Sequence, residues 1–125
     1  YSNALYSMQI ENSYSDVNIT NPYVVDAGGL VGFVEQATIS NSYSKGTIPL
    51  DDGTGGLVGY MTSGTISGAY WDVNTSGQPT SGGGTGKTTT QMKQQATFVD
   101  WNFSGLWSIC EDSSYPFFSW ENRSC

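Results

Sequence analysis

The chain contains no histidine, and only 4 of its 125 residues are lysine or arginine. Without histidine it cannot assemble a Ser-His-Asp or Cys-His nucleophile, nor a histidine-ligated metal centre. With so few cations it cannot build the basic stripe that a nucleic-acid surface requires, so no nucleic-acid partner is expected. An anionic membrane surface is disfavoured for the same reason. No apolar run is long enough to span a bilayer, so membrane insertion is not expected either. Charged residues make up only 12% of the chain, and good helix formers are scarce.

What remains is rich in glycine, serine, threonine and asparagine, with aromatics at 14%. Such a mixture favours strands and turns, and the aromatic content argues for a packed core rather than disorder. The length suits one domain. Eleven acidic residues give a net charge of −7, a balance common among secreted and salt-tolerant proteins. The two cysteines, Cys110 and Cys125, stand near the end of the sequence. In a chain of this composition they read as one disulfide, which places the protein in an oxidising compartment, secreted or at the cell surface. The sequence begins at Tyr1 without methionine and shows no signal peptide, as expected of a mature or excised piece of something longer.

A repeat dominates the first half. "IENSYS", "ISNSYS" and "ISGAYW" open at Ile10, Ile39 and Ile66, spaced by 29 and then 27 residues. "GGLVGF" at 28–33 and "GGLVGY" at 55–60 are 27 apart, each with its first glycine 11 residues before the next such isoleucine. The two additional residues of the first unit therefore belong between Ile19 and Gly28, in the loop-like "TNPYVVDA". Units of this length, made of short strand-like runs and glycine corners, predict coils of a parallel β-solenoid.

Within a coil the side chains should alternate. Ser13, Ser15, Val17 and Ile19 share one parity with Ser42, Ser44, Gly46 and Ile48, and with Ala69, Trp71 and Val73. Most are small or apolar, as an interior requires, and Trp71 is the exception. Tyr14, Tyr43 and Tyr70 fall on the other face, where coils ~4.8 Å apart would let the rings stack. The asparagine before each Ser-Tyr-Ser is expected at a corner, its amide bonding to the next coil as a ladder.

"GGLVG" alternating with "ISNSYSKGTI" resembles the GLUG-motif repeats of bacterial and archaeal surface proteins. "YWDVNTSGQPTSGGGTGKTTTQMKQQATFVDWNFSGLW" followed by "YPFF" resembles the segment that often follows such repeats. The resemblance implies a β-helical region at the cell surface or outside the cell, with an adhesive or structural role. The cysteine pair is not part of it.

All four tryptophans, Trp71, Trp101, Trp107 and Trp120, lie after residue 70. A solenoid exposes apolar core and strand edges at its ends and needs caps. "TTTQMKQQATF" is the one good helix candidate, with Thr88 or Thr89 as N-cap and Met92, Ala96 and Phe98 or Val99 on one face. With the aromatics that follow, it is expected to plug the last coil. The expected division is residues 1–78 as repeats and 79–125 as glycine-rich linker, short helix and aromatic cap.

"SGGGTGKTTT" at 81–90 is not a phosphate loop. The spacing would require a glycine where Ser81 stands, and no buried strand precedes it. Asp51, Asp52 and Asp72 are the carboxylates that could do acid–base work, but "PLDDGTGG" is turn chemistry. Asp51 and Asp52 are at most weak candidates for a calcium site. Neither a catalytic residue nor a cofactor is expected. Asn18, Asn74, Asn102 and Asn122 head N-x-S/T sequons and are candidate glycan acceptors.

The reading is thus an all-β protein: a short parallel β-solenoid of about three coils with a C-terminal aromatic cap containing one short helix. It is expected to work by structure and contact, not by catalysis. Partners would be other copies of itself or upstream domains of the same protein, met through the N-terminal solenoid face, and surface glycans. Tyr14, Tyr43, Tyr70, Trp101, Trp107 and Trp120 are the candidate ligand or interface aromatics. A carbohydrate-binding module built on the tail aromatics would show tryptophans exposed in a row. A polysaccharide-active β-helix would show carboxylates converging in a groove.

Overall fold

A computed structural model of the chain describes residues 8–21, 23 and 25–125. Short strands predominate and helix is sparse. Strands β1 (Met8–Glu11), β4 (Val31–Ser40) and β7 (Val58–Ser67) form one sheet in that order. A second sheet runs β2 (Tyr14–Ser15), β5 (Tyr43–Ser44), β8 (Tyr70–Asp72) and β9 (Thr85–Lys87). β3 (Ala27–Gly28) pairs with β6 (Thr54–Gly55). All these pairings are parallel, so the chain returns to the same sheets at each repeat.

The register follows the repeat. Ile10 lies opposite Ile39, and Ile39 opposite Ile66. Tyr14 lies opposite Tyr43, and Tyr43 opposite Tyr70. Ile19 N–H still meets the carbonyl of Thr47, while Ala27 already pairs with Thr54. The additional residues of the first unit are therefore confined between Ile19 and Ala27. Residues 22 and 24 of that stretch lie outside the described residues.

Alternation builds the first core. Ala37 and Ile39 of β4 point inward and are fully buried, joined by Leu57, Val58 and Ala69. Each large aliphatic buried this way contributes about 1.5–3 kcal/mol. Ser42 and Ser44 fill the tight interior as expected, and Ser44 Oγ donates to the carbonyl of Gly56 at 2.8 Å. Val17 departs from the expected parity: it is 59% exposed.

Asn12 and Asn41 have φ of 50° and 49°, and Gly68 takes the same corner at 59°. Asparagine tolerates this left-handed conformation better than most residues. The expected side-chain ladder is not the device that joins the turns, however. The backbone N–H groups do it, with Asn12 donating to Ser40 O and Asn41 to Ser67 O.

Trp71, the exception to small interior residues, is buried across the end of the first core. A Cβ on Gly56 would collide with its indole. Its Nε1 donates to the carbonyl of Gln78 at 2.9 Å. The glycine-rich stretch beyond is not a free linker. Gly56 N–H donates to Thr80 O, Ser81 Oγ accepts from Val58 N at 2.8 Å, and β9 adds to the edge of β8. A Cβ on Gly83 would meet the Cδ1 tip of Ile66, so this stretch lies close against the isoleucine of the last repeat.

The tail forms a second core, and its place corrects the expected plug. Met92, Phe98, Trp101 and Trp107 pack around Tyr43, with Tyr14, Tyr70 and Phe118 against them. The aromatics cover the tyrosine flank of the repeats and not the end of the last turn. The flank gathers one tyrosine from every repeat, and the tail aromatics pack against all three.

The expected helix is two 3-10 turns, Gln91–Lys93 and Gln95–Thr97. The N-cap of the first turn is Thr90, with no side-chain cap bond, in place of the expected Thr88 or Thr89. Thr88 instead closes the preceding turn, Gln91 N–H donating to Thr88 Oγ1 at 3.2 Å and Thr88 N–H to Gln91 Oε1 at 3.0 Å. Met92 and Phe98 are buried, whereas Ala96 and Val99 face solvent. The α-helical segment, α1 (Val73–Ser76), lies earlier. β10 (Trp107–Ser108) and β11 (Phe117–Phe118) make an antiparallel pair, followed by a 3-10 turn at Ser119–Glu121. Cys110 and Cys125 form a disulfide across Cα atoms 5.6 Å apart.

Candidate functional site

The repeated tyrosines hold the second core to the first. Tyr14 and Tyr43 stack with centroids 5.2 Å apart and planes 6° from parallel. Tyr70 leaves the stack and meets Phe98 edge-on at 5.4 Å. Tyr43 is fully buried, stacks on Tyr115 at 6.0 Å, and donates its hydroxyl to the carbonyl of Pro116. Burial drives its ionisation far above the ordinary tyrosine range.

Tyr14 closes a polar latch at the chain's end. Its hydroxyl donates to both oxygens of Glu121, at 3.0 and 2.9 Å. Phe118 N–H donates to the same carboxylate at 2.8 Å, and Arg123 pairs with it. Burial works to raise the pKa of Glu121, but the bonds from Phe118, Tyr14 and Arg123 outweigh it and hold the carboxyl below its usual value. Burial first, and Glu121 second, raise the Tyr14 hydroxyl.

Asp72 is fully buried and fully bonded. Oδ1 accepts from Asn74 N at 2.8 Å and Thr75 N at 3.0 Å, which makes Asp72 the N-cap of α1. Oδ2 accepts from Thr89 Oγ1 at 2.7 Å and from the Tyr115 hydroxyl at 2.6 Å. Burial, and then the bond to Asp72, push the Tyr115 hydroxyl up to about 12. Of the three carboxylates weighed for acid–base chemistry, Asp72 is thus occupied in joining the repeats to the tail. Asp51 and Asp52 sit in an exposed turn, where Asp52 N–H donates to Asp51 Oδ1 at 2.8 Å. Among the described residues no three His, Cys, Asp or Glu side chains gather to hold a metal.

The candidate aromatics divide by burial. Tyr43, Trp101 and Trp107 are buried, so no ligand can stack on them and no row of exposed tryptophans exists. Trp120 is 72% exposed and stacks on Phe118 at 5.4 Å. Asn18, Asn74, Asn102 and Asn122 all stand at the surface.

The sequence reading missed several residues. Gln78 is buried, and its Nε2 donates to the carbonyls of Ile48 and Pro49 at 2.9 and 2.7 Å. Phe33 and Tyr60 stack at 5.5 Å on the outer face of β4 and β7, each about half exposed. Lys45, Lys93 and Arg123 converge on one cavity of about 350 Å³ between the repeats and the tail. No periodicity marks those three cations. Phe33 and Tyr60 each follow a "GGLVG" block, so their pairing was implicit in the repeat.

With this geometry in view, the likenesses to known proteins take on structural meaning. Residues 25–48 match the GLUG motif. They contain the first "GGLVG" corner, β4 and β5, which together make one return of the chain to the two larger sheets. The chain thus carries the GLUG motif that its repeats resemble. It is 35% identical over 116 residues to a Gly-rich membrane protein of Evansella cellulosilytica, a match spanning 86% of this chain and 13% of that relative. No solved structure is significantly similar to it. Among the described residues no helix is long and apolar enough to cross a membrane.

Proposed function

We propose that the chain is a non-catalytic module of a cell-surface or secreted protein. Residues 1–78 form a short β-solenoid of about three coils and residues 79–125 its C-terminal closure. Its N-terminal face stacks on the preceding part of the same protein. The observation that carries this reading is the asymmetry of the two ends. At one end β9, Thr80 and Ser81 lie on the last strands, and Trp71 fills the interior. At the other, β1 and β2 have a strand partner on one side among the described residues. An edge of this kind accepts a further parallel strand.

A second copy is the other candidate partner for that face. It fits less well head to tail, because β9 already holds the edge of β8 where the β2 strand of the next copy would pair. That favours the end of a longer stalk over a filament subunit. The match to a small part of a much longer Gly-rich membrane protein agrees with this. The disulfide, the acidic surface and four surface sequons suit an extracellular setting.

The test is sedimentation of the 125-residue chain beside a version carrying two further repeats at its N-terminus. The reading expects the longer chain to be monomeric and more stable. A short chain that is strictly monomeric, with residues 1–9 dispensable and no gain from added repeats, would defeat it.

A further inference from the structure

We propose that the cavity between the repeats and the tail binds the carboxylate of an acidic sugar unit, of the uronic-acid kind. The chain has four cationic side chains, and three of them, Lys45, Lys93 and Arg123, line this one groove. In a protein of net charge −7, this is a local reversal of sign, and a cleft with low-dielectric walls concentrates such a field. The volume of about 350 Å³ lies within the range of small-molecule sites.

The walls are built, not accidental. Lys45 Nζ stands 4.5 Å from the centroid of the Tyr115 ring, and Lys93 Nζ 5.5 Å from it. Cation–π contact holds both ammonium groups over one ring. That ring is fixed in turn by its stack on Tyr43 and its hydroxyl bond to Asp72. Lys93 makes no ion pair among the described residues, so its charge is available to a ligand. Lys45 pairs with Asp16 at 3.2 Å, and Arg123 with Glu121.

The remaining lining selects the kind of anion. Ser113 and Ser114 add hydroxyls, and Asp16 adds a carboxylate to the same cavity. A carboxylate at the rim repels a doubly charged phosphate or a bare sulfate. It accepts hydrogen bonds from sugar hydroxyls while Lys93 takes the acid group. Cations, one anion and hydroxyls around an aromatic floor match a singly charged, hydroxylated ring. This site requires the folded chain alone, so it stands or falls separately from the stacking of the N-terminal face.

The experiment is a titration of the whole chain followed by backbone amide NMR, with glucuronate, methyl glucoside and inorganic sulfate as probes at low salt. Glucuronate should shift the amides of Lys93, Ser113 and Ser114 saturably, and methyl glucoside should not. Lys93→Gln should weaken glucuronate by about tenfold, the loss expected for one charge-assisted hydrogen bond. Lys87→Gln, which alters the one cation outside the groove, should leave binding unchanged. No saturable shift, equal weakening by the two variants, or sulfate binding as tightly as glucuronate would each overturn the proposal.

Discussion

Replacing Asp72 by alanine tests whether the repeats and the tail are one cooperative unit. The carboxylate serves four donors: Asn74 N, Thr75 N, Thr89 Oγ1 and the Tyr115 hydroxyl. Loss of an N-cap costs about 1 kcal/mol. Each hydrogen bond to a charged acceptor is worth about 1.5–3 kcal/mol, and the Thr89 hydroxyl, being near solvent, can recover much of its share from water. The expected loss is therefore about 3 kcal/mol, or roughly 10 °C in Tm for a domain of this size. Asp72→Asn keeps a carbonyl oxygen for the helix cap and loses only the charge towards the hydroxyls, so it should cost less, about 1–2 kcal/mol. Urea unfolding followed by tryptophan fluorescence reads this, since three of the four tryptophans are in the two buried cores. Pairing Asp72→Ala with Tyr115→Phe should cost less than the sum of the two, by about 1 kcal/mol, because both remove the same bond. Strict additivity, or an alanine variant within ~1 kcal/mol of the parent, would refute the view that this carboxylate couples the two cores.

Gln78→Leu should destabilise by about 2–4 kcal/mol, because the carbonyls of Ile48 and Pro49 lose their shared donor inside the fold. A leucine variant as stable as the parent in the same unfolding assay would show those carbonyls to be hydrated. Replacing Cys110 and Cys125 together by serine removes a bridge across 15 residues, worth about 3 kcal/mol. Hydrogen exchange should then show residues 119–125 opening first, and unchanged protection there would count against the bridge as their anchor. The Glu121 latch should weaken in acid. Its carboxyl is held below the usual carboxylate value in the fold, so its contribution is present above that value and is lost as pH falls through the folded pKa. The protection of the Phe118 amide, its exchange relative to the intrinsic rate at each pH, should fall on acidification, and Glu121→Gln should abolish that loss. The Tyr115 hydroxyl runs the opposite way. It is raised from 10.0 to about 12, so its stabilisation is intact below pH 10 and is lost between the two values. Tyr115→Phe should flatten alkaline unfolding over that window.

Much of the repeat was legible because its signals are periodic. The spacing of Ile10, Ile39 and Ile66 placed three residues in register, and the coordinates pair them so. Asn12 and Asn41 stood where alternation changed phase, and both have the positive φ of a corner. Thr88 or Thr89 read as a helix cap, but the helix tightened into 3-10 turns whose first N-cap is Thr90, and Thr88 bonds Gln91 in the turn before it. The tail was less legible, because a non-repeating segment carries no register to say which surface it covers. Tyr14, Tyr43 and Tyr70 looked like a free outer stack, yet they are the surface on which Trp101, Trp107 and Phe98 close. The cationic groove was invisible for a related reason: Lys45, Lys93 and Arg123 belong to three unrelated segments, and only the docking of the tail brings them together.

That docking also explains how so few turns hold together. The repeats alone bury only a small core, Ile39, Leu57, Val58 and Trp71 with alanine and serine between them. The tail supplies a second core, containing Trp107 at full burial, Met92 and Phe98. It does so by using one tyrosine from each repeat as the joint. Each tyrosine makes a different bargain with it. Tyr14 gives its hydroxyl to Glu121, Tyr43 gives its hydroxyl to Pro116, and Tyr70 gives its ring face or edge to Phe98. The same repeated residue is thus read three ways, because the tail that reads it does not repeat. A preceding turn of the same sequence type would extend the stack from the β1 edge, with ring on ring as Tyr14 now lies on Tyr43.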